Sequence, residues 1–108
     1  MKRFSYDLEN DIFQVNLGFA VDEKFKGNIV VGNVVLDLST KDRVRGLELF
    51  DASVFLKDFG IDDLTKVKDV EMQASMRGDA VMLHLVLKCQ NKEIPVRIAV
   101  ALEQSLVH

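Results

Sequence analysis

The sequence predicts an α+β fold, mainly antiparallel β, with about seven strands in one curved sheet or two packed layers and one short helical segment near residues 53–66. Three observations predict it. Apolar and polar residues alternate through long stretches at both ends of the chain, the two-residue period of a half-buried strand. Polar clusters containing Gly, Asn, Asp or Ser separate those stretches, as turns do. One segment alone, Ser53 to Phe59, drops the alternation behind two good capping residues and ends at a glycine. The length, 108 residues, suits a single domain. Residues 1–59 form a hairpin module with its helix, and residues 60–108 a β-meander extension.

In chain order, Arg3 to Tyr6 begins a first strand, with Phe4 and Tyr6 on one face. Asp7 to Asp11 is a turn whose short side chains can bond their own backbone. Ile12 to Leu17 is a strand with Phe13, Val15 and Leu17 on one face. Phe19 to Lys26 is uneven, either a short strand or an irregular crossing. Ile29 to Leu38 is read as one long or bulged strand containing Gly32. Ser39 to Asp42 gives four polar residues in a row, and the return strand follows. There Val44, Gly46, Glu48 and Phe50 face one way, and Arg45, Leu47 and Leu49 the other. Gly46 inside a strand marks a bulge or a close backbone approach. Asp51 and Ser53 are the candidate N-caps of the helix. Asp62 caps a further helical turn.

The second half is more regular. Val70, Met72, Ala74 and Met76 alternate with Glu71, Gln73, Ser75 and Arg77. Arg77-Gly78-Asp79 is a tight turn. Ala80 to Cys89 is nearly all apolar and reads as a central strand covered on both faces. After a turn at Asn91-Lys92, Ile94, Val96, Ile98, Val100 and Leu102 alternate strictly with Pro95, Arg97, Ala99 and Ala101. Pro95 cannot donate to a ladder, which places it at a strand start or an edge.

Three blocks in the first half carry a resemblance. They are Tyr6-Asp7-Leu8-Glu9-Asn10-Asp11, then Val35-Leu36-Asp37, then Gly46-Leu47-Glu48-Leu49-Phe50-Asp51-Ala52-Ser53. In this order they resemble the signature of domain of unknown function family 2283, small prokaryotic proteins. The segment from Gly18 to Asn33 is longer than that signature, and the chain beyond Gly60 lies outside it. The resemblance implies a compact β-rich module that associates as an accessory partner of small toxin-like proteins. It implies no catalytic residue.

Composition narrows the function classes. Apolar residues make up 48%, enough for a core without disulfides or a structural metal. A net charge of −3 argues against nucleic-acid binding, which needs a clustered basic excess. The start of the sequence lacks the apolar run of a signal peptide, and no stretch is long enough to span a bilayer. These features predict a cytoplasmic protein without a membrane or nucleic-acid partner. Cys89 is the single cysteine and defaults to a buried thiol. Ser53 has no nucleophile elbow around it, and His84 and His108 have no ligand partners in sequence.

Two function classes remain. The favoured one is a non-enzymatic interaction or structural module, a homodimer or protein-binding domain without cofactor. Its interface candidates are Ile94, Val96, Ile98, Val100 and Leu102, on a strand able to pair with a second chain if it lies at an edge. The other is a small-molecule or divalent-cation site, with a hydrolytic variant, built from Asp7, Asp11, Asp37 and Glu48. It requires those carboxylates to converge. A turn centred between Thr40 and Lys41 sets residue 37 opposite 44 and 48 opposite 33, so Asp37 and Glu48 face each other only if Gly46 introduces a bulge. Otherwise Arg43 or Arg45 pairs with them.

Overall fold

The computed structural model describes residues 3–102. It contains eight strands: β1 (Phe4–Asp7), β2 (Ile12–Asn16), β3 (Phe25–Val31), β4 (Val34–Ser39), β5 (Val44–Phe50), β6 (Asp69–Arg77), β7 (Ala80–Cys89) and β8 (Lys92–Ala101). Between β5 and β6 lie the helix α1 (Ala52–Lys57) and a 3-10 turn, Leu64–Lys66. All strand pairs are antiparallel. The first half makes a five-stranded sheet in the order β1-β2-β5-β4-β3, and the second half a three-stranded meander, β6-β7-β8. The architecture is therefore two sheets rather than one curved sheet.

One hydrophobic cluster joins them. Phe13, Val15, Leu36, Leu47 and Leu49 come from the larger sheet; Val70, Leu83, Leu85, Leu87, Val96 and Val100 come from the smaller. Ala52, Leu56, Ile61 and Leu64 of the helical segment complete it. Burying each large aliphatic side chain contributes roughly 1.5–3 kcal/mol.

Three local expectations change. The run from Ile29 to Leu38 is not one strand: Gly32, with φ of 57°, and Asn33 form a tight turn between β3 and β4. Apolar residues on both sides of that turn hide it, because a two-residue turn interrupts hydropathy very little. Next, the β4–β5 register shifts between the pairs Asp37–Gly46 and Leu38–Val44, leaving Arg45 as the extra residue of a bulge. One extra residue inverts parity, so Val44 joins Leu47 and Leu49 in the core instead of Glu48 on the outer face. Finally, β7 is central but is covered on one face only. Val81, Leu83, Leu85 and Leu87 are buried, while His84 is exposed and Met82 and Val86 are half-buried.

The helix start also differs. Neither Asp51 nor Ser53 caps α1 with its own side chain. Asp51 sits in the left-handed region (φ 53°) without a side-chain capping bond. The cap comes from Asp11, a residue of the β1–β2 turn. Its carbonyl accepts from Ala52 N at 3.1 Å, and its carboxylate accepts from Ser53 N at 3.0 Å and Ser53 Oγ at 2.7 Å. The C-terminus follows the expected motif. Gly60, at φ 86°, donates to Lys57 O, and Ile61 N reaches back to Leu56 O, satisfying carbonyls of the last turn. Asp63, not Asp62, caps the following 3-10 turn, accepting from Thr65 N.

Candidate functional site

The four carboxylates singled out in the sequence do not form one site. Asp7 closes its own turn, accepting from Asn10 N at 3.1 Å and Asn10 Nδ2 at 2.8 Å. Those donors hold its carboxyl below the usual range. Asp11 is the helix cap and also accepts from Tyr6 Oη at 2.5 Å. Burial opposes its ionisation, but the donors from Tyr6 and Ser53 outweigh that and keep it low. Tyr6 carries the converse: burial, then the bond to the Asp11 carboxylate, pushes its phenol up to about 12.

Asp37 and Glu48 lie on the outer face of the larger sheet. Asp37 stands opposite Gly46, and Glu48 opposite Val35, so the two carboxylates are diagonal neighbours. Asp37 accepts from Asn28 Nδ2 across β3–β4, not from Arg43 or Arg45. Its side chain lies over the bare α-carbon of Gly46, where a Cβ would come within 3.0 Å of Cγ and 3.1 Å of Cβ of Asp37. This is the close approach that a glycine in a strand signals. Glu48 has no hydrogen bond or ion pair among the described residues. No group of three or more acidic, histidine or cysteine side chains with metal-binding geometry occurs among them either.

The arginines expected near Glu48 belong to a carboxylate the sequence did not single out. Glu23, buried at 3% exposure, lies in the irregular segment before β3. It accepts from Arg43 Nε and Nη2 at 2.8 Å each, from Ser39 Oγ at 2.5 Å and from Ala20 N at 3.0 Å. Arg45 Nε is 3.8 Å away and donates instead to the carbonyl of Gly18, while its Nη2 donates to the carbonyl of Leu17. The bidentate Arg43 contact, then Ser39, brings the Glu23 carboxyl down to about 2. Every acceptor site of this buried charge faces a donor, so the cluster ties the irregular segment to the β4–β5 hairpin. The one clue in the sequence was the pair Arg43 and Arg45, close together beside a turn.

The interface candidates sit at an edge but with their side chains turned inward. Ile94, Val96, Ile98, Val100 and Leu102 are all buried, at 9% exposure or less. They are core residues, and what β8 offers outward is its backbone. Leu102 N bonds Asp79 O at 2.7 Å, which fixes the alternation: even-numbered residues of β8 bond β7, and odd-numbered ones point away. Pro95 is odd, so its missing N–H falls on the open side. Arg97, Ala99 and Ala101 are odd and exposed. Cys89 is half-buried rather than buried.

A further feature is a cleft of about 460 Å³ between the start of β5 and the second half of β6. Leu17, Val44, Met72 and Met76 give it an apolar floor, with Arg43 and Arg45 on one wall. Among the described residues, no helix is long and apolar enough to cross a membrane. No family model matches the chain, and no curated protein or solved structure matches it.

Proposed function

We propose that this chain is a non-enzymatic interaction module that forms a homodimer by pairing the open edge of β8 with the same strand of a second copy. The observation that carries the reading is the outward backbone of Arg97, Ala99 and Ala101, beside side chains small enough to let another strand approach. A two-fold antiparallel register centred on Ala99 sets Arg97 opposite Ala101 and Ile98 opposite Val100, so no like charges meet and the apolar row continues across the junction. Pro95 limits pairing to the second half of the strand. The resemblance stated above points the same way, toward a module that works by association. The carboxylates of the alternative site do not converge: Asp7, Asp11 and Asp37 are each engaged by partners that hold the fold together, and Glu48 has no partner among the described residues.

The test is Ala99→Pro with native mass spectrometry and light scattering. The substitution removes one outward donor and no bond to β7. The wild type is expected to be a dimer, Ala99→Pro a folded monomer, and Ala99→Ser a dimer. A monomeric wild type, or a dimer that persists in Ala99→Pro, overturns the proposal.

A further inference from the structure

A second open edge, on the far side of the same sheet, carries a different inference. Ala74 and Met76 share the inward face of β6 with Val70 and Met72. Their β7 partners, Leu83 and Val81, are fully buried. Yet Ala74 is exposed, and Met76 is 57% exposed. The second half of β6 thus runs past the cover that the larger sheet provides. The backbone is open there as well. Odd residues of β7 bond β8, so its even residues bond β6 at Asp69, Glu71, Gln73, Ser75 and Arg77. The N–H and C=O groups of Ala74 and Met76 point away from the sheet. No backbone bond from outside it reaches them among the described residues.

The cleft lies directly beside this edge. Its polar wall has a positive excess. Arg43 and Arg45 share the single buried carboxylate of Glu23, while Asp42 is held by Lys26 at 2.7 Å. The Arg43 side chain remains half exposed, with part of its guanidinium unoccupied by Glu23.

We propose that β6 and this cleft form a docking groove for an extended, carboxylate-bearing segment of another protein, added as a fourth strand beside Ala74 and Met76. Its backbone pairs with the outward groups of those two residues. Alternate apolar side chains drop among Met72, Met76, Val44 and Leu17, and a carboxylate meets Arg43. A second copy of β6 is the competing occupant, and its effect on the oligomer mass separates the two. The inference deepens the interaction reading by naming a partner surface. It does not depend on the β8 dimer, because a sheet doubled through β8 keeps β6 outermost at both ends.

The test pans a displayed library of random twelve-residue peptides against the wild-type protein, with counter-selection on Ala74→Pro. Selected peptides are then titrated by fluorescence anisotropy and mapped by amide shifts. The expected peptides alternate apolar residues around an Asp or Glu, shift the amides of β6, and bind Ala74→Pro at least tenfold more weakly. Ala99→Pro is expected to bind them as the wild type does. If Ala74→Pro loses its dispersed amide spectrum, Met76→Glu replaces it, since that side chain is exposed and the new charge repels a carboxylate. The proposal is overturned if no peptide is enriched over the counter-selection variant. It is equally overturned if the shifts fall on β8 or elsewhere, or if Ala74→Pro changes the oligomer mass, which would make β6 the contact between copies.

Discussion

Replacing Gly46 with alanine tests the contact at the centre of the outer face. Gly46 does not have a positive φ, so a methyl group there escapes the strain of the left-handed region. It meets Asp37: Cγ at 3.0 Å, Cβ at 3.1 Å, and the carboxylate oxygen Oδ2 closer still. The carboxylate must swing off and give up Asn28 Nδ2, a loss of about 0.5–1.5 kcal/mol, toward the low end at this exposed position. The residual squeeze against the Asp37 Cβ adds roughly 1 kcal/mol. Against this, the loss of glycine's freedom in the unfolded chain returns about 0.4–1 kcal/mol. The net expectation is a destabilisation of about 1 kcal/mol, or about 4–8 °C in Tm for a domain this size. In an Asp37→Ala background the carboxylate is gone, and Gly46→Ala is expected to be neutral within about 0.5 kcal/mol. Urea unfolding followed by far-UV circular dichroism gives all four corners of the cycle. Equal costs of Gly46→Ala in both backgrounds would refute the reasoning.

Three further outcomes follow from the buried partners. Tyr6 is the sole tyrosine, so its phenolate absorbance is unambiguous: ionisation is expected near pH 12, and Asp11→Asn should move it back toward 10. Because the unfolded chain releases that proton first, stability falls as pH rises from about 10 through 12, measurable by denaturant midpoints. Glu23 works in the acid range: with its carboxyl lowered from 4.5 to about 2, its contribution is present above 4.5 and is lost as pH falls through 2, and Glu23→Gln should flatten that part of the stability profile. Asp11→Ala removes the cap of α1 and is expected to cost about 0.5–2 kcal/mol in urea unfolding, more than Asp51→Ala, whose side chain makes no cap.

The strand inventory of the second half was legible almost residue by residue. Alternation from Val70 to Met76 and from Ile94 to Leu102 gave the inward faces, and Pro95 marked an edge, because a pleat has a fixed period and proline lacks a donor. Gly46 was legible as a close approach, though not what approached it. The first half was harder. Gly32–Asn33 is a turn flanked by apolar residues on both sides, and the bulge at Arg45 inverts parity without leaving a trace in composition. Glu23 was missed because its partners, Ser39 and Arg43, are sixteen and twenty residues away. Nothing in its own segment is periodic.

What the sequence determined alone is therefore local: which segments extend, which side chains the regular strands turn inward, and where the short helix lies and ends. Those properties follow from backbone geometry and hydropathy over a few residues. Tertiary structure decided the rest. It divided the strands into two sheets, handed the helix cap to Asp11, and gave Arg43 to Glu23 instead of Glu48. It also left β6 and β8 as the free edges of the smaller sheet. Each of these depends on which distant segments meet, and a single chain read in order carries no term for that.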